Sequence, residues 1–137
     1  MILAAGYGKR LAPFTNHTPK PLLSVRGQTL IDRHLQSMRS VGIKEVIINV
    51  AHLQDKIVEH CHDGSKWGLK IEYSREDENA PLETGGGVEK ILPWFDNQAF
   101  LLVAADIWTE FSFKSLLNVS TELVDAHAVI APKPMWL

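Results

Sequence analysis

Met1-Ile2-Leu3-Ala4-Ala5-Gly6-Tyr7-Gly8-Lys9-Arg10 opens the chain with a short apolar run that breaks into two glycines and two cations. The run predicts a buried strand over Met1–Ala5. Glycines let a backbone come close to phosphate oxygens, and cations offset their charge, so the loop is a candidate cradle for a nucleoside triphosphate. Downstream, apolar runs bounded by turn residues keep alternating with helical patterns. Leu30, Ile31, His34, Leu35 and Met38 recur at helical spacing, and Gly42 stops that helix. Glu45–Val50 is β-branched and nearly continuous, as a strand buried on both faces requires. A second amphipathic helix is expected over Leu53–Cys61, a third strand over Leu69–Tyr73, and a short helix over Gly87–Trp94 ended with the help of Pro93. A fourth, central strand is expected over Phe100–Ala105 and a fifth over Ala126–Ala131. This alternation predicts an α/β fold, a Rossmann-like, mostly parallel sheet with helices on both faces, with residues 1–137 as a single domain. Ligands on such sheets bind beyond the carboxyl ends of the strands. The glycine loop and Asp106 both fall on that edge.

The chain has 137 residues and a formal charge of −2, which argues against nucleic-acid binding through the overall field. Lys9, Arg10 and Lys20 still form a local cationic spot. One cysteine, Cys61, leaves no internal disulfide, so a cytoplasmic protein is expected. The opening run lacks the basic n-region and long h-region of a secretory leader, and no stretch approaches the ~18 apolar residues of a membrane span. His60-Cys61-His62 is no zinc site by its spacing, since adjacent helical residues point in different directions. His17 and His52 have no nucleophile in any motif, which leaves hydrolase triads without support. Trp67, Trp94 and Trp108 read as packing, with Trp108, two residues past Asp106, the one of the three expected to border the site. Asp63, Glu76, Asp77 and Glu78 read as solvated loop charge, with 76–80 able to fold over a ligand.

Two familiar phosphate motifs fail on the first loop. Leu11 stands where a dinucleotide fingerprint needs its third glycine, which disfavours an NAD(P)-binding domain, and Gly8-Lys9-Arg10 is not the Gly-Lys-Ser/Thr of a P-loop. What remains is Leu3-Ala4-Ala5-Gly6-x-Gly8-x-Arg10-Leu11-x-Pro13-x-Thr15, followed by Pro19-Lys20-Pro21-Leu22. With these residues the chain resembles the sugar-1-phosphate nucleotidyltransferases, whose signature they match throughout. His17–Leu22, Leu82-Glu83-Thr84-Gly85-Gly86-Gly87 and Asp106-Ile107-Trp108-Thr109 look most like bacterial N-acetylmuramate-1-phosphate uridylyltransferases, with mannose-1-phosphate guanylyltransferases close by.

The resemblance implies nucleotidyl transfer from an NTP to a sugar 1-phosphate, with UTP favoured in an enzyme of cell-wall sugar recycling and GTP, as in a mannose-1-phosphate guanylyltransferase, the alternative. It implies nucleotide contacts from Leu3, Ala4, Ala5, Gly6 and Gly8. Arg10 is expected on the β- and γ-phosphates and Lys20 near the α-phosphate. The glycine run Gly85-Gly86-Gly87 is expected under the base and ribose, where a side chain would collide, with Glu83 and Thr84 bordering that pocket. It places Asp106 on Mg²⁺, with Arg10, Lys20 and Asp106 as the catalytic set. Two plainer readings stand beside these: Asp106 as a helix cap and Gly85–Gly87 as a helix entry. The family commonly reads Asn-Gly-Asp where this chain reads Ala104-Ala105-Asp106. The match covers the nucleotide-binding portion only. The later part, which carries the sugar pocket and a second metal-binding aspartate, has no counterpart, so a C-terminal truncation is expected. Sheet surface left uncovered predicts self-association. A non-catalytic nucleotide-binding relative is the rival reading.

Overall fold

β1 (Ile2–Leu3) is short, but both of its edges are used. It pairs in parallel with β4 (Glu45–Val50) and with β6 (Val103–Ala104), and β4 pairs in parallel with β5 (Lys70–Arg75), giving the order β5-β4-β1-β6. The computed structural model describes residues 1–120 and 124–132.

Side-chain alternation decides which helix covers which face. Ile2, Ala4, Val46, Ile48 and Val50 pack with Ile31, Leu35 and Met38 of α1 (Leu30–Ser40) and with Ile57 and Cys61 of α2 (Gln54–Cys61). Met1 and Ile47 point the other way, onto Ile91 of α3 (Glu83–Ile91), with Leu3, Val88 and Phe100 closing that side. The α/β sheet with helices on both faces is therefore observed. α1 starts where the Thr29 side chain accepts from the Asp32 N–H at 3.2 Å, and its five expected core residues are all buried. An antiparallel hairpin, β2 (Ser24–Val25) and β3 (Gln28–Thr29), precedes it. Its turn residues Arg26 and Gly27 both take left-handed φ, 52° and 80°, as a tight type I′ connection demands.

Three expectations are corrected. The last helix starts at Glu83, four residues earlier than Gly87, and Pro93 lies in a 3-10 turn, Leu92–Phe95, that follows it. Packing of Val88 and Ile91 on the sheet outweighs the poor helix propensity of three glycines. The strand expected over Phe100–Ala105 narrows to Val103–Ala104, although Ala105 N–H still donates to the Leu3 carbonyl at 2.9 Å. Residues 126–131 form no strand and are exposed, Ile130 to 90%. Their β-branched composition is not enough without a ladder partner. Residues 133–137, part of the tail behind the expected truncation, lie outside the described residues.

Candidate nucleotide site

A cleft of about 390 Å³ opens beyond the carboxyl ends of the strands. Its floor is Leu3, Ala4 and Ala5 leaving β1 and Ala104 and Ala105 leaving β6, and the glycine loop makes one wall. The loop's shape follows from its residues. Gly8 has φ +65°, and a Cβ there would meet Thr15 Cγ2 at 2.9 Å, so no other residue fits without displacement. Thr15 is buried and its hydroxyl donates to the Gly8 carbonyl at 3.0 Å, which pins the loop from beneath. The chain then enters a 3-10 turn at Lys9–Leu11 instead of a helix. A Cβ on Gly6 would meet nothing within 4 Å, so this glycine leaves its backbone open.

Lys9, Arg10 and Lys20 line this space together with Asp106, Glu76 and Glu83. Arg10 lines the cleft and, among the described residues, has no hydrogen-bond or ion-pair partner. The Lys9 ammonium stands 5.3 Å from the Tyr7 ring centroid. Lys20 donates to the Asp106 carboxylate, and the two side chains keep 25% and 41% exposure. An ion pair so open to water adds little stability. Asp106 is held at this edge by a turn in which Ile107 N–H donates to the Ala104 carbonyl at 3.4 Å. Behind it, Arg33 of α1 donates to the Thr109 carbonyl at 3.3 Å and lies 5.4 Å from the Trp108 ring. His34, buried beneath the same turn, has its pKa lowered by burial, which the Ile107 backbone and the Asp106 charge only partly oppose.

Residues 1–135 match the family described as nucleotidyl transferase. The chain belongs to that family. It is 40% identical over 137 residues to the N-acetylmuramate alpha-1-phosphate uridylyltransferase of Neisseria meningitidis serogroup B, covering 98% of this chain and 59% of that one. It is 30% identical to the mannose-1-phosphate guanylyltransferase of Mycobacterium tuberculosis, over 86% of this chain and 32% of that one. The chain thus spans about three fifths and one third of these relatives. Among solved structures, HddC of Yersinia pseudotuberculosis superposes with a TM-score of 0.72 at 24% identity, covering 85% of this chain and 51% of that one. That likeness supports the fold.

In this nucleotidyl transferase chain, Leu3, Ala4, Ala5, Gly6, Gly8, Arg10, Lys20, Glu83, Thr84 and Asp106 all come together around the cleft. Gly85 and Gly86 do not. They stand further along α3, where a Cβ on Gly85 would meet open space and one on Gly86 would meet the Leu82 side chain at 3.1 Å. Gly87, the third of the run, faces the protein interior: a Cβ there would stand 2.9 Å from Asn49 Nδ2 and 3.0 Å from Glu76 Oε1. Trp108 packs under Arg33 and is not part of the lining.

Glu76 is the largest correction. Read from the sequence as solvated charge, it is 4% exposed and lines the cleft with Asn49. Its neighbour Glu78 binds His52 Nδ1 at 2.6 Å and accepts the Tyr7 hydroxyl on its carbonyl, so the loop after β5 is tied to the glycine loop. His52 Nε2 in turn lies 3.1 Å from the Thr15 carbonyl. Sequence reasoning left Asn49 and Thr15 without site roles and gave Glu76 only a place in a loop able to fold over a ligand. The available signal was Asn49 itself, an amide inside an apolar central strand, which needs a polar partner when buried.

Proposed function

We propose that the protein transfers a nucleotidyl group from a nucleoside triphosphate, UTP before GTP, to a sugar 1-phosphate in the cytoplasm. The observation that carries this reading is the convergence of the open glycine backbone, Arg10, Lys20 and Asp106 on one cleft at the carboxyl edge of the sheet. The 40% identity to a uridylyltransferase favours UTP and a cell-wall sugar acceptor, and the guanylyltransferase relative makes GTP the competing substrate. In the proposed reaction an oxygen of the sugar phosphate attacks the α-phosphorus. The bond to the bridging oxygen breaks, and pyrophosphate leaves with that electron pair. No protein nucleophile is required, so catalysis rests on alignment and charge neutralisation.

Each residue then has a task. Gly6 and Gly8 bring backbone N–H groups to the triphosphate, Arg10 binds its terminal oxygens, and Lys20 meets the charge that grows at the α-phosphate. Asp106 fits a Mg²⁺ ligand: it is a half-exposed carboxylate at the cleft whose ion-pair partner is a flexible lysine. Among the described residues no group of three or more His, Cys, Asp or Glu could cage a metal. That suits an ion which takes one or two carboxylates and completes its shell with phosphates and water. When bound, Mg²⁺ supplies charge neutralisation to the triphosphate. The test is isothermal titration with UTP and with GTP, each with and without Mg²⁺, followed by pyrophosphate release with sugar 1-phosphates. Mg²⁺-dependent binding of one nucleotide with turnover is expected. Binding without turnover reduces the chain to a nucleotide-binding relative, and no binding removes the reading.

A further inference from the structure

Asn49 is the penultimate residue of β4 and Glu76 follows β5 directly, at 3% and 4% exposure. Their hydrogen bonds form one chain. Ala4 N–H, at the start of the glycine loop, donates to Asn49 Oδ1 at 2.8 Å and, more weakly, to the Asn49 backbone carbonyl at 3.2 Å. Asn49 Nδ2–H donates to Glu76 Oε1 at 2.9 Å, and Leu82 N–H, at the entrance to α3, donates to Glu76 Oε2 at 3.0 Å. The amide cannot be flipped, because its nitrogen would then face the Ala4 N–H. Among the described residues no cation pairs with Glu76, so a carboxylate is kept buried on hydrogen bonds alone, which is costly. A neutral apolar pair would hold β4 to β5 as well, but it would not reach both Ala4 and Leu82.

We propose that Asn49 and Glu76 are positioning residues. They set the spacing between the glycine loop and the Glu83–Thr84 wall, and through it the affinity for the nucleotide. This rests on the proposed nucleotide site, and it assigns no ligand contact to either side chain.

The bond pattern supplies its own test. In Glu76→Gln one acceptor must serve two donors, and in Asn49→Asp two carboxylates face each other. The double variant exchanges the two groups. The carboxylate now at position 49 accepts from Ala4 N–H and from the amide nitrogen now at position 76. The oxygen of that amide accepts from Leu82 N–H, so all three bonds return. Kd for UTP and GTP is measured below the melting temperature of each variant, with hydrogen exchange at the Ala4 and Leu82 amides of the nucleotide-free protein. Each single variant is expected to weaken the preferred nucleotide by about tenfold or more, and the double to return within about threefold of the parent. Exchange at Leu82 or Ala4 rises in the singles and falls back in the double. A purely structural role lowers Tm and leaves the affinity of the folded protein unmoved. Singles that bind like the parent, or a double as weak as the worse single, overturn the proposal. If a single variant does not fold, binding by the double decides in the same way. If the parent binds neither nucleotide, the functional reading fails by itself. Exchange then judges the pair: unchanged protection at Ala4 and Leu82 overturns it, and loss restored in the double supports it.

Discussion

Gly87→Ala and Gly85→Ala change stability in opposite directions, although the two glycines are two residues apart on one helix. An alanine Cβ at position 87 would sit 2.9 Å from Asn49 Nδ2 and 3.0 Å from Glu76 Oε1. Ends of flexible side chains normally move aside, but these two atoms are buried and bonded to each other at 2.9 Å. Moving either breaks a buried hydrogen bond to a charged group, at about 1.5–3 kcal/mol. Helix propensity returns ~1 kcal/mol, because alanine replaces glycine inside α3. The net loss is about 0.5–2 kcal/mol, or a Tm lower by roughly 2–8 °C for a chain of this size. At Gly85 the same methyl meets open space and φ is not left-handed, so only the gain of up to ~1 kcal/mol remains. Urea unfolding followed by tryptophan fluorescence measures both. If Gly87→Ala is as stable as Gly85→Ala, the Asn49–Glu76 bond is not the constraint that selects glycine at position 87, and the reasoning fails.

Lys20→Met removes the ammonium that faces Asp106, and nucleotide affinity should fall by about tenfold to a hundredfold, as for one lost charge-assisted contact; titration with UTP and GTP checks this, and unchanged affinity takes Lys20 out of the phosphate role. Asp106→Asn should erase the Mg²⁺ dependence of nucleotide binding while leaving the fold intact, read as equal Kd with Mg²⁺ and with EDTA; a dependence that survives places the ion elsewhere. Cys61 is buried, and its thiol pKa is pushed up to about 12 by burial first and by the Asp32 charge second. Thiolate is therefore scarce in the folded protein at every pH below that value. Alkylation at pH 8 should proceed only as fast as the protein unfolds, and rapid labelling of the native protein would contradict the burial.

Legibility followed the range of the interaction. Glu45–Val50 and the α1 face were readable because period and β-branching are local properties. The place of the glycine loop at the cleft was readable because its two glycines and its cations lie within a few residues of each other, directly after a strand. Arg26-Gly27 is a weaker turn signal, since only two residues flank it on each strand and no alternation can build up. Residues 126–131 misled in the other direction, because strand-like composition carries no information on whether a neighbouring edge is present.

Glu76 shows the limit most clearly. In the sequence it heads Glu76-Asp77-Glu78, and an acidic run beside a turn is normally solvated. Burial comes from partners 27 residues upstream and six residues downstream, neither of which marks it locally. Asn49 did mark its own position, because an amide within Val-Ile-Ile-Asn-Val must find a partner or leave the sheet. The partner could be a backbone group, a side chain or a ligand, and a strand sequence does not choose among them. The pairing that the fold selects joins the two walls of a cleft through its floor. On the proposed function, a site that grips a flexible polyanion through the long Arg10 and Lys20 side chains gains most from having its backbone walls fixed first. On that proposal the buried pair supplies the rigidity, and the cations at the rim reorganise around the ligand, Lys20 by leaving Asp106.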